Sequence, residues 1–241
     1  NLFLAIVAAL VTGAVLGMFN GTVISQTKIP PLVTTLGTMY LFRGISMIVA
    51  GTRTFSGFPD AFREFSTYEL FGVLPIQFLY FLAIFLILNY FYRRGSLGRN
   101  LKGMGFNEAA VIFSGVNTKK IKFWIYTLLG LLCGLAALIY LGRLSAAKTS
   151  MGDFMNFQVI TAVLLGGTSI MGGVGSMRGT FLATLIIGVL QKGFTLLNFS
   201  GNIYNFTLGL ILILSLIFFS ITEERKKVRP ARPDVQEGSV T

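Results

Sequence analysis

The sequence predicts an all-α integral membrane protein, a polytopic helical bundle of about seven transmembrane helices. Three observations predict it. Hydrophobic residues make up 54% of the 241 and charged residues only 12%, about half of the roughly 25% usual in a soluble chain. Apolar runs of near-spanning length recur from one end to the other. All nine acidic residues lie between or after those runs, where a charge escapes the cost of insertion into lipid.

A helix crosses a hydrocarbon core of roughly 30 Å with about 20 mainly apolar residues. In order, such runs fall at 2–23, 32–50, 76–92, 121–141, 157–172, 179–197 and 204–221. The fifth is short and dissolves into Gly166-Gly167 and Gly172-Gly173. The chain opens without Met, inside its first apolar run, and reads as a piece that lacks an N-terminal portion.

Lys and Arg set orientation. Residues 93–122 hold Arg93, Arg94, Arg99, Lys102, Lys119, Lys120 and Lys122 against a lone Glu108, and the tail holds Arg225, Lys226, Lys227, Arg229 and Arg232. Both segments are therefore expected in the cytoplasm, with residues 51–75, which mix Arg53 and Arg63 with Asp60, Glu64 and Glu69, outside. Seven spans satisfy this alternation, whereas an even number would put the two basic segments on opposite faces. The expected organisation is a transmembrane domain over 1–222 and a disordered cytoplasmic tail over 223–241, charged and holding Pro230 and Pro233. The net charge of +11 then belongs beside anionic lipid rather than nucleic acid.

Several function classes are excluded or disfavoured. With no His and a single Cys, Cys133, there is no His-based catalysis, no Cys/His zinc site and no intrachain disulfide. No span carries a carboxylate, which disfavours a proton-driven carrier, and no plausible base stands beside a nucleophile, which disfavours a membrane-embedded enzyme. The chain has no G-x-x-x-x-G-K-[ST] phosphate cradle. Any energy from ATP must come through another subunit, and no cofactor is expected in this one.

Four features stand out. Arg43 sits inside the second run; it marks either a solvated pathway or a helix break, or it snorkels from a short helix. Gly13 with Gly17, and Gly130 with Gly134, form small-xxx-small pairs suited to close helix packing. The run 166–175 contains Gly166, Gly167, Gly172, Gly173 and Gly175, too many for a relaxed helix. It is either a broken helix beside a pathway or a turn with close backbone approach. Finally, Asn107 can cap a short helix with Glu108 at its positive end. Ala109, Ala110, Val111, Ile112 and Phe113 give that helix an apolar surface before Gly115 and Asn117 end it. It either seeks a partner or packs on its own spans.

These residues carry a family resemblance over nearly the whole chain. The blocks run in order: Asn20-Gly21 ahead of Lys28-Ile29-Pro30; Thr35-Leu36-Gly37-Thr38 with Arg43-Gly44; Gly98-Arg99 leading to Asn107-Glu108-Ala109-Ala110. Ser114-Gly115-Val116 before Lys119-Lys120-Ile121 follows, then Leu165-Gly166-Gly167-Thr168-Ser169 through Gly172-Gly173-Val174-Gly175 and Gly179-Thr180. The sequence resembles the permease subunits of bacterial ATP-binding-cassette importers of the ribose, xylose and arabinose type. Residues 32–42 and 57–62 look most like the permeases of autoinducer-2 import.

The resemblance implies a multi-pass protein of the bacterial inner membrane with a cytoplasmic C-terminus. It implies a second permease chain, two ATP-binding subunits and an extracytoplasmic substrate-binding protein as partners. Gly105, Asn107, Glu108, Ala109, Ala110, Ser114 and Gly115 would form the cytoplasmic coupling helix and loop that dock on the ATPase. The expected cargo is a small, neutral, polyhydroxylated ligand. Its pathway candidates are Asn20, Thr34, Thr35, Thr38 and Arg43, although each polar group could instead satisfy a neighbouring backbone group. The rivals are a branched-chain amino-acid permease of the same superfamily and a passive channel or carrier that needs no ATPase.

Overall fold

A computed structural model describes residues 2–227 except Phe71, Val73, Phe154, Ile170 and Met171, with side chains from Phe3 through Phe218 except that of Ala61. The chain forms two compact units, Asn1–Asp153 and Phe154–Thr241.

The first unit holds α1 (Leu2–Gln26), α2 (Pro31–Ala50), α3 (Asp60–Thr67), α4 (Ile76–Arg94), α5 (Ser96–Phe113) and α6 (Thr118–Leu144). Pro31 opens α2 at a position where its missing N–H is not needed. The first apolar run is therefore cut from the second by the turn through Lys28. The chief packing event is α1 against α6. The two helices run antiparallel in a fixed register: Ala9 lies against Gly134, Gly13 against Gly130, Gly17 against Tyr126 and Gly130, and Gly21 against Phe123. A Cβ on Gly17 would stand 3.0 Å from the Gly130 Cα and closer still to the Tyr126 carbonyl oxygen, nearer than a side chain tolerates. The two small-xxx-small pairs face each other, and Ala9 and Gly21 extend the contact by a turn at each end. Lipid supplies no hydrophobic drive between helices, so packing of backbone on backbone holds this pair.

At one end of this unit lie residues 51–75 and 145–153. They are joined by a two-residue ladder between β1 (Phe55–Ser56) and β4 (Ala146–Ala147), with Phe55 opposite Ala147. A second ladder pairs β2 (Glu69–Leu70) with β3 (Leu74–Pro75). The short amphipathic α3 docks here on α6: Phe62, Ser66 and Leu138 are buried, and Ser66 fills the space that Gly142 leaves free. Gln77 Nε2 donates to the Ser66 carbonyl at 2.6 Å. The opposite end holds Lys28 and the basic residues of 93–122, because α1 ends where α6 begins. The charge asymmetry read in the sequence thus separates the two ends of one packed unit.

The second unit holds α7 (Met155–Leu165), α8 (Met177–Leu196) and α9 (Gly201–Lys227). Both α8 and α9 pack on α7 around Ala162, Ile187, Tyr204 and Leu208, with Leu190 and Phe194 beside them.

Several elements differ in detail from the expectation. Among the described residues six helices are long and apolar enough to cross a membrane. The fifth candidate, 157–172, forms instead the 11-residue α7, about 16 Å long at 1.5 Å per residue, because the glycines after Leu165 take left-handed angles (Gly167 φ 82°, Gly172 φ 91°, Gly173 φ 78°). Residues 96–106, which fall between two apolar runs, are helical. Asn117 does not end the short helix but opens α6, its side chain accepting from Lys120 N at 3.0 Å. The helix α9 continues through residues 223–227 of the expected tail, and 228–241 lie outside the described residues.

Candidate functional site

The loop between α4 and α6 is built around a break. Within α5, Asn107 has φ −157° and ψ 100°, so the helix is two pieces, 96–106 and 108–113. The second piece is capped by Asn107, whose Oδ1 accepts from Ala110 N at 3.1 Å. This satisfies one of the donors that a helix start leaves without an intrahelical partner. Ser114 Oγ donates to Ala110 O, and the left-handed Gly115 closes the C-terminal end. Lys122, one turn into α6, grips Glu108 with its Nζ 2.7 Å from one carboxylate oxygen and 2.8 Å from the other. The hydrogen bond from Lys122 holds the Glu108 carboxyl below its ordinary pKa of 4.5, against a smaller opposing effect of burial. The sign is that of a depressed acid: the clamp is intact above the ordinary value and is lost as pH falls through the lowered one. The sequence reading found the cap and missed the clamp, because Lys122 reads there as one basic residue among several.

This clamped helix turns apolar groups outward. Ala109 and Ala110 are exposed, as are Ile112 and, at 91%, Phe113. Gly105 is half-buried in the first piece of α5. The short helix is thus fixed at both ends and carries an exposed apolar tip in a basic surround.

The pathway candidates lie on α1 and α2. Thr34 is buried, and its Oγ1 donates to Pro30 O at 3.4 Å. Thr35 donates to Pro31 O and Leu32 O, and Thr38 to Thr35 O. Each threonine therefore satisfies a carbonyl of its own helix. Asn20 Oδ1 is buried without a hydrogen-bond partner. Arg43 does not break α2; it donates to Asp153 Oδ2 at 2.9 Å.

The glycine-rich segment is a turn with close backbone approach. Gly166 is buried and packs on the backbone of Gly179 and Thr180 at the start of α8. Ser169 N donates to Val174 O across the turn at 2.9 Å, and Ser176 caps α8 by accepting from Gly179 N. Gly175 is half-buried beside it. One polar group was missed in the sequence. Gln158 on α7 and Gln191, Thr180 and Thr184 on α8 line a groove of about 230 Å³. Their spacing on α8 (180, 184, 188 with Gly188) was the available signal.

Among the described residues no cluster of His, Cys or acidic side chains could hold a metal ion. The first unit is thus a set of apolar helices with a structured polar loop at one end. Comparison with known proteins agrees with it. The family described as "Branched-chain amino acid transport system / permease component" matches residues 1–216. The chain belongs to this permease family. It is thus the multi-pass, non-catalytic membrane component of an ATP-binding-cassette importer. The permease is 34% identical over 231 residues to the autoinducer 2 import system permease protein LsrD of Photorhabdus temperata, covering 93% of this chain and 69% of that one. The namesake of Klebsiella pneumoniae is 33% identical over 238 residues, 95% of this chain and 70% of the relative. That of Escherichia coli is 31% identical over 232 residues, 94% and 70%. No solved structure matches.

Proposed function

We propose that this permease forms the transmembrane channel of an ATP-driven importer for a neutral, sugar-like ligand such as autoinducer 2. The likeness to autoinducer 2 permeases over more than nine-tenths of the chain carries the reading. Electrostatics supports it. Among the described residues, Arg43 is the cation deepest in an apolar helix, and Asp153 already neutralises it. A zwitterionic cargo would need charged partners at that depth, where they are costly. A polyol needs only neutral donors and acceptors, such as the amides and hydroxyls of the α7–α8 groove.

The second reading, a branched-chain amino acid as cargo, is favoured by the family's own description. Uptake by proteoliposomes holding the permease with its ATPase and binding protein separates the two. Autoinducer 2 should accumulate only with ATP, with ribose or rhamnose competing and leucine without effect. ATP-driven leucine uptake would overturn the neutral-ligand reading.

We likewise infer seven crossings, one of them through α7, and a cytoplasmic tail. Residues 96–117 then face the cytoplasm, and residues 51–75 and 197–200 face outside. Single cysteines in a Cys133→Ala background test this with an impermeant thiol reagent on intact cells. Ser56→Cys and Ser200→Cys should react and Ser96→Cys should not. If α7 does not cross, Ser200→Cys stays protected, and the tail changes sides.

The partners follow from the family. A second permease chain would complete the channel, two ATP-binding subunits would sit on the 108–113 helix, and a binding protein would deliver cargo to the opposite end.

A further inference from the structure

The segment 145–153 is held at three points. Its β4 pairs with β1, Thr149 Oγ1 donates to Gly51 O at 2.9 Å, and Asp153 accepts from Arg43. The third point lies deep. The helix α2 has 20 residues, about 30 Å, which matches the hydrocarbon core. Arg43 precedes its last residue by seven positions, about 10 Å along the axis. The chain therefore runs from the rim, through the left-handed Ser145 and Gly152, to the side chain of Arg43, whose Cα lies about a third of the way along α2 from that end. Irregular backbone at such depth is stable only if protein covers it or a water-filled cavity borders it. Within this chain the pair is only partly covered: the Arg43 side chain is 48% exposed and that of Asp153 30%.

We propose that residues 145–153 form a strap across the extracytoplasmic mouth, and that Arg43 and Asp153 are the positioning pair that latches it. The strap borders water, and cargo passes when the latch opens. An exposed ion pair suits this task. Being worth little in water, it breaks and reforms readily, whereas the α1–α6 glycine contact cannot. The placement of this mouth rests on the importer reading above; the latch itself does not.

The test separates them. In vesicles holding the permease with its partner subunits, in a Cys133→Ala background, Met151→Cys reports the strap through its labelling rate with an impermeant maleimide. Arg43→Gln and Asp153→Asn should each speed labelling by about two- to five-fold, the range of an exposed pair. Arg43→Lys should keep the parental rate, and the exchanged Arg43→Asp/Asp153→Arg pair should return towards it. Unchanged rates in both neutral variants, or a fast rate in Arg43→Lys, would overturn the latch. Phe55→Cys/Ala147→Cys joins residues that face each other in an antiparallel ladder, within reach of a disulfide. Uptake should stop on oxidation and recover on reduction; full uptake with the disulfide formed would overturn the gating role. Labelling needs no cargo. A permease that labels as expected and imports no sugar-like ligand therefore defeats the importer reading and leaves the latch standing.

Discussion

Ala110→Arg should abolish uptake while the permease still inserts at its normal level. Ala110 is exposed, and its contribution to the capped turn is its backbone N–H, which Asn107 receives. An arginine at 110 therefore keeps the cap and the Glu108–Lys122 clamp. In the proposed coupling surface it would be forced against the ATPase. An unpaired charge buried there costs several kcal/mol, and each increment of about 1.4 kcal/mol is tenfold in affinity. The ATP-binding subunit should no longer co-purify, and ATP-dependent uptake should be lost. A passive channel would show unchanged flux for the same substitution. Retained uptake with a retained ATPase would place the coupling surface elsewhere.

Gly130→Leu should be the most destabilising substitution in the helical spans. A side chain at 130 meets the Gly13 carbonyl and the Gly17 backbone, and backbone cannot rotate aside as a side chain can. Overpacking in a core costs typically about 1–3 kcal/mol and sometimes more; this site should lie at the upper end, since the whole α1–α6 pair must separate. The midpoint of thermal unfolding in detergent should fall, with loss of folded yield. Gly209→Ala is the control. Its Cβ would meet nothing within 4 Å, and helix propensity favours Ala over Gly by about 1 kcal/mol, so stability should hold or rise. Equal losses in the two variants would show that the glycine register between α1 and α6 does not hold the unit together.

Much of this permease was legible in its sequence. Lipid imposes a length and a composition on every crossing helix, so the six long helices emerge from apolar runs alone, with ends within a few residues of those seen. Asn107 announces its cap for the same local reason: a side-chain oxygen reaches a backbone N–H three residues on. The glycine pairs, too, declare close packing, since a residue without a Cβ in a spanning helix leaves a groove for a neighbour.

Tertiary structure decided what those grooves and charges meet. Gly13 faces Gly130, and not another chain, only because α1 and α6 run antiparallel in one register. Lys122 was one basic residue among several until α6 placed it over Glu108. Arg43 stood open to several readings because its partner, Asp153, is 110 positions away. Hydropathy and capping act over a few residues and can be read along the chain. Pairing of charges and of bare backbone is fixed by distance in space, and no local pattern records it.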